Sequence, residues 1–217
     1  TTNGAADSDI TFSSTLGNTN GEDIAFVAGA AGDVVVTGAL GDLGVGNVLV
    51  TSAFDVTFSS TVDATNFDQS AGTGTTTFNG AFDLAGNFAW DGKNLTINGA
   101  ANDAEGTFDA DIDVTAGKLI FGNNATTQIG STLTQTNTGF TNGTVEIGAN
   151  LTTTDNAGAI SFASASTLKG SADETITLTT NGAADSDITF SSTLGNTNGE
   201  DIAFVAGAAG DVVVTGA

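Results

Sequence analysis

Twenty-five acidic residues stand against three lysines, with no Arg, His or Cys, and this balance decides what chemistry the chain can carry. The acids gather in short clusters: DSD (Asp7, Asp9), NTNGED (Asn18, Asn20, Glu22, Asp23), NDAE (Asn102, Asp103, Glu105) and DADID (Asp109, Asp111, Asp113). Carboxylate and amide oxygens are hard ligands suited to Ca²⁺. Asn18, Asn20, Glu22, Asp23, Asn102, Asp103 and Glu105 are therefore the candidate metal ligands, and Ca²⁺ is the only cofactor these residues suggest. NTNGED is the best of the clusters, with a Gly in the turn and four oxygen-bearing side chains in six residues. It matches neither the twelve-residue hand loop nor the glycine-rich nonapeptide of calcium β-rolls. DADID reads differently: Phe108, Ala110, Ile112 and Val114 alternate with the three Asp, which makes the acids the wet face of a strand. The bland alternative for every cluster is a diffuse cation atmosphere.

Other chemistry is narrowed by what is missing. Nucleophilic catalysis through His or Cys is excluded, and a Ser–Lys pair would need Lys93, Lys118 or Lys169 without any supporting motif. Carbohydrate-active β-helix enzymes set Asp clusters beside a basic partner in a groove. A chain without Arg or His is not expected to be an enzyme of that kind, or of any other. The net charge of −22 makes nucleic acid a poor partner, because binding phosphates needs cations that release counterions. It also opposes anionic membrane surfaces, and favours solubility and mutual repulsion. No run approaches the eighteen apolar residues of a spanning helix, so membrane insertion is not expected. The absence of Cys excludes disulfides, and suits the outside of a bacterium and the cytosol alike.

The elements that must position these clusters repeat. Residues 1–39 return without one substitution as residues 179–217, an offset of 178. The chain reads as one long tandem repeat, 1–178, and the start of the next, 179–217, cut from a longer array. The partners this implies are further copies of the same repeat, end to end, with lateral bundling as a second mode. Within the repeat the apolar pattern has period two: Ile10 and Phe12 alternate with Thr11, Val56 and Phe58 with Thr57, Leu95 and Ile97 with Thr96. Gly- and Asn-rich stretches such as GNTNGED, SAGTG and FGNNA supply the tight turns between strands. Aligning the inner residues gives Phe12, Val36, Phe58, Phe78, Ile97 and Phe121, at steps of 24, 22, 20, 19 and 24. Ile147, Phe162 and Phe190 continue the series at 26, 15 and 28. Such spacing predicts an all-β fold, a parallel β-helix (β-solenoid) with coils of about 20–24 residues. Eight such coils, at a strand spacing of about 4.8 Å, would advance the long repeat by about 38 Å. Phe12 and Phe190 would then be related by that translation and a small twist. The alternative is a pair of tandem β-sandwich domains, which would show strands every 8–12 residues.

DITFSST (Asp9–Thr15), DVTFSST (Asp55–Thr61), SAGTGTTTFNGAF (Ser70–Phe82) and NLTINGA (Asn94–Ala100) resemble the strand repeats of large secreted bacterial surface proteins. They are similar to the filamentous-haemagglutinin class of adhesins, whose shafts are right-handed parallel β-helices. The resemblance covers Asp9 to Phe121 and its second copy. It implies a structural protein at the bacterial cell surface, the shaft of an extracellular fibre or giant adhesin, and it carries over no catalytic residue. The rival is a carbohydrate- or surface-binding β-helix module, for which an exposed row of aromatics would be the mark. Two further features have plain readings. Thr132, Thr134, Thr136 and Thr138 share one strand face, as do Thr175, Thr177 and Thr179; such ladders occur in some ice-binding β-helices, but Thr is also a good exposed strand residue. Trp90, the sole Trp, is expected at a corner or edge.

Overall fold

The computed structural model describes residues 8–17, 19–103, 106–112, 116–137, 142–155, 157–184 and 186–216. Thr, Val, Ile and Phe in alternation favour a pleated, half-buried backbone, and among the described residues every regular element is a strand. The strands wind into a three-sided parallel β-solenoid of about eight turns. Its first side is a nine-stranded sheet: β1 (Ile10–Phe12), β3 (Val34–Val36), β5 (Val56–Phe58), β7 (Thr75–Phe78), β10 (Asn94–Ile97), β13 (Lys118–Phe121), β16 (Thr144–Ile147), β19 (Ala165–Leu168) and β22 (Leu194–Asn196).

The other two sides belong to one fifteen-stranded sheet that folds around a corner. The fold is made by two long strands, β4 (Leu40–Ser52) and β6 (Val62–Gln69), each of which serves both sides. From β6 the second side runs through β8 (Phe82–Leu84), β11 (Ala101–Asp103), β14 (Thr127–Ile129), β17 (Leu151–Thr153), β20 (Thr175–Thr180) and β23 (Asp201–Val205). The third side runs through β9 (Phe88–Gly92), β12 (Phe108–Ile112), β15 (Leu133–Thr136), β18 (Ile160–Phe162), β21 (Ile188–Phe190) and β24 (Val212–Val214). It is extended on the other flank by β2 (Ile24–Val27), which pairs with β4. Every pairing is parallel, as consecutive coils require, and this excludes the antiparallel sandwich.

The first six inner positions stack as the spacing predicts: Phe12↔Val36↔Phe58↔Phe78↔Ile97↔Phe121. Ile147 follows in register, and then the column departs from expectation, because the next residue is Leu168, 21 residues on. Phe162 and Phe190 stack with each other on the third side instead. The interior does not distinguish Leu from Phe; what counts is an apolar side chain of roughly the right volume at each coil. In the middle coils the filling is aromatic, with Phe58 over Phe78 at 5.0 Å, Phe67 over Phe88 at 5.1 Å and Phe88 over Phe108 at 4.5 Å. Trp90 corrects another expectation. It lies inside on the third side, 2% exposed, between Gln69 and Ala110, where a small neighbour leaves room for the indole. A Cβ on Gly92 would come within 2.8 Å of that ring.

The two identical segments take the same local structure but not the same side. Ile10–Phe12 pair with Val34–Val36 on the first side; their copies Ile188–Phe190 pair with Val212–Val214, residue for residue, on the third. From β1 to β19 the chain completes seven coils, and β21 lies two sides further on. The long repeat thus winds seven and two-thirds coils, about 23 residues each. Phe12 and Phe190 are related by a translation and by two-thirds of a turn, not by a small twist. The sequence expectation divided 178 residues into whole coils, and the fold does not.

Candidate functional site

Many of the acidic and amide side chains sit at the corners of the coils, and there several meet the neighbouring coil. Entering the first side, the Asp33 N–H donates to Asp9 Oδ1 (2.9 Å), Asp55 N–H to Asp33 Oδ1 (3.1 Å) and Thr75 N–H to Asp55 Oδ1 (2.6 Å). Entering the third side, Asn47 N–H donates to Asp23 Oδ1 (2.7 Å), Asn66 Nδ2 to Asn47 Oδ1 (2.6 Å) and Asn87 N–H to Asn66 Oδ1 (2.7 Å). Corner backbone groups leave the strand ladder and need other partners; these ladders of side-chain oxygens supply them. The second copy repeats the device, with Asp211 N–H on Asp187 Oδ1 at 2.8 Å. The corners also demand close approach. A Cβ on Gly38 would lie 2.3 Å from the Ser14 carbonyl carbon, and one on its copy Gly216 would lie 2.1 Å from that of Ser192.

The candidate Ca²⁺ ligands divide among these roles. Asn18 and Glu105 lie outside the described residues, and of Asp103 the backbone alone is described, in register with Leu84 and Ile129. Asn20 Nδ2 donates to Glu22 Oε1 at 3.1 Å, and that bond is the main cause holding the exposed Glu22 carboxyl below its ordinary range. Asp23 turns away to its ladder. Asn102 donates to Asp83 Oδ1 at 3.0 Å across the second side. NTNGED and NDAE are not brought together: one leads into β2 in the first coil, the other lies in and after β11 four coils away.

The second copy shows the NTNGED turn complete. Gly199 adopts φ +78°, as Gly21 adopts +75°, a left-handed conformation that glycine takes without penalty. Glu200, the copy of Glu22, folds back so that Oε2 accepts from the N–H of Asn198 (2.9 Å) and of Thr197 (3.3 Å). Burial pushes its carboxyl up, but these backbone donors outweigh burial and the net direction is down. The Glu caps its own turn.

DADID behaves as the alternation implies. Phe108, Ala110 and Ile112 are buried and Asp109 and Asp111 face outward; Asp113 and Val114 lie outside the described residues. The fold adds what the sequence hid: Asp91 is in register with Asp111, and Asp68 belongs to the same side, around a shallow depression of about 260 Å³. Burial, then the neighbouring Asp111, raises the Asp109 carboxyl above its usual range. Among the described residues no three carboxylates converge so as to hold a metal ion.

On the first side, Lys118 and Lys169 each reach Glu146 at 3.0 Å. Burial would raise Glu146, but the two ammonium groups prevail and its carboxyl is held low. Both lysines are thus engaged as counter-ions rather than poised against a serine. Among the described residues Phe54 is the one clearly exposed aromatic, so no aromatic row marks any side.

What the corners do is join each coil to the next, the same way in both copies. The chain is a tandem-repeat parallel β-solenoid. Comparison with protein-family models, curated proteins and solved structures finds no match.

Proposed function

We propose that this solenoid is structural: a shaft segment of an extracellular fibre or giant surface adhesin, whose length is set by the number of repeats. One observation carries the reading. The second copy enters the solenoid without a break, and its corner bond, Asp211 to Asp187, and its strand register reproduce those of the first. A repeat that hands its last coil on to an identical successor is built to be concatenated.

The carbohydrate- or surface-binding alternative gains little support. A groove of about 490 Å³ on the third side is lined by Asp23, Asn47, Asn66 and Asn87, but each offers its Oδ1 to the neighbouring coil. Placement at the bacterial surface rests on the strand-repeat resemblance. Two measurements test the proposal. Electron micrographs of the native material are expected to show thin uniform filaments giving an axial reflection near 4.7–4.9 Å. Protease added to intact cells is expected to reach the chain. Compact particles would remove the shaft, and full protection in intact cells would remove the surface location.

A further inference from the structure

Glu200 holds a buried carboxylate oxygen that meets no donor among the described residues. The residue is 3% exposed; its Oε2 caps the N–H groups of Asn198 and Thr197, while Oε1 is enclosed and unpartnered. An ionised oxygen shut away from water calls for a donor or a cation. The register shows what lies beneath it. Thr175 pairs with Asp201, and the Asp201 N–H donates to the Glu174 carbonyl at 3.0 Å. Glu174 and Glu200 are therefore neighbours on successive coils, whose backbones run about 4.8 Å apart. Each closes its own turn in the same way: Glu174 Oε2 accepts from the Ser171 N–H at 2.9 Å, three residues back, as Glu200 does from Thr197. Asp173 takes φ +61° in the lower turn, as Gly199 takes +78° in the upper one. Lys169, which opens the lower turn, is committed to Glu146 at 3.0 Å. Asn196 and Asn198 donate through Nδ2 to the carbonyls of Glu200 (3.1 Å) and Gly170 (3.3 Å), so the Oδ1 of each remains an acceptor. The first copy of this turn is placed differently. Glu22 is exposed, takes Asn20 Nδ2 on Oε1, and leads into β2, which among the described residues pairs with β4 alone.

We propose that this corner is a Ca²⁺ site, anchored on the buried oxygen of Glu200 and completed by the Glu174 carboxylate of the coil beneath, with the Asn196 and Asn198 amide oxygens as neutral ligands. It is made of two carboxylates and neutral oxygens, not of three converging acids. Few charges on two adjustable turns suit Ca²⁺, which accepts irregular shells of oxygen, better than Mg²⁺, which demands a near-ideal octahedron. The affinity to expect is that of extracellular modules, about 10⁻⁴–10⁻³ M. Acid is stacked on acid elsewhere, as Asp63 on Asp83, but both of those face water, which screens them. Glu200 has no such access. Glu174 belongs to the long repeat and Glu200 to its successor, so the ion would tie one repeat to the next. That recurrence rests on the array reading above; the site in this chain does not. The oxygen-rich NTNGED turn thus becomes a site only when it is seated on the Ser171–Glu174 turn of the preceding coil.

Isothermal titration of the full chain with CaCl₂ at constant ionic strength is expected to show one saturable site, which MgCl₂ at the same concentrations leaves unfilled. Glu200→Gln and Glu174→Gln are each expected to weaken that site roughly tenfold or more, since charge count sets Ca²⁺ affinity. Glu22→Gln, the same residue of the first copy, is expected to leave it unchanged. Hydrogen exchange gives the location: Ca²⁺ is expected to slow the amides of Ser171, Thr197 and Asn198, and not that of Glu22. Binding that never saturates, that is equal for Ca²⁺ and Mg²⁺, or that neither Glu substitution alters would overturn the proposal and leave a diffuse cation atmosphere. Saturable binding with protection at another corner would overturn it as well. If a variant fails to fold, the stoichiometry and exchange map of the unsubstituted chain decide. Filaments without a Ca²⁺ site would sink this inference and spare the shaft; a Ca²⁺ site on compact particles would do the reverse.

Discussion

At the scale of the residue, the interior is a column in which each side chain answers to the ones directly above and below. Phe58 is 1% exposed, in register with Val36 and Phe78, and 5.0 Å from the Phe78 ring. Phe58→Ala is expected to cost about 3–5 kcal/mol in urea denaturation, because the flanking coils cannot close the void without breaking their own hydrogen bonds. A loss below about 1 kcal/mol would mean that the ring is not enclosed. Asp109 makes the opposite point on the outside. Burial and Asp111 raise its folded-state pKa above the unfolded value, so the folded state favours the proton. Stability from this group is then gained as pH falls through the folded value, and the charge is a cost above it. Asp109→Asn is expected to stabilise slightly at pH 7, by no more than about 0.5 kcal/mol because solvent screens an exposed carboxylate, with the gain disappearing once the pH falls below the ordinary carboxylate range. Thermal denaturation at the two pH values reads this directly, and a destabilised variant at pH 7 would contradict it.

At the scale of the element, the unit is the corner as much as the strand. Asp33 takes an N–H from Asp55, and Asn66 does the same for Asn87, so a neutral amide oxygen suffices. Asp33→Asn is therefore expected to fold nearly as stably as the parent, whereas Asp33→Ala leaves the Asp55 N–H unpaired and costs about 1–2 kcal/mol. Equal losses for the two would assign the effect to charge instead. Strands were legible in the sequence because alternation is a property of neighbouring residues, and Phe12, Phe58, Phe78 and Ile97 could be aligned by their common setting in T-F or T-I. Beyond Phe121 the coils lengthen unevenly, and Phe162 and Phe190 drew the alignment to the wrong side while Leu168 was passed over. The ladders were hidden for another reason. An Asp in a turn looks the same whether it caps, chelates or merely solvates, and the deciding partner, as with Asp9 and Asp33, is 24 residues away. The candidate Ca²⁺ clusters were legible as oxygen-rich turns, but not the fact that Asp23 and Glu200 spend their oxygens on backbone.

For the whole molecule the governing quantities are charge and continuity. As pH falls toward the isoelectric point near 4.1, the repulsion between acidic sides vanishes. Association is then expected to increase, so that light scattering rises steeply. If scattering instead stays low down to pH 4, something other than charge keeps the rods apart. Continuity has a consequence under tension. Each coil is bonded only to its two neighbours, so an axial pull detaches coils from an end one at a time rather than shearing the rod as a whole. A coil of about 23 residues holds roughly 75–80 Å of contour in under 5 Å of rod. Losing one coil would lengthen a loaded fibre some fifteenfold over that coil while every other coil stays intact, a reserve of slack that grows with each repeat.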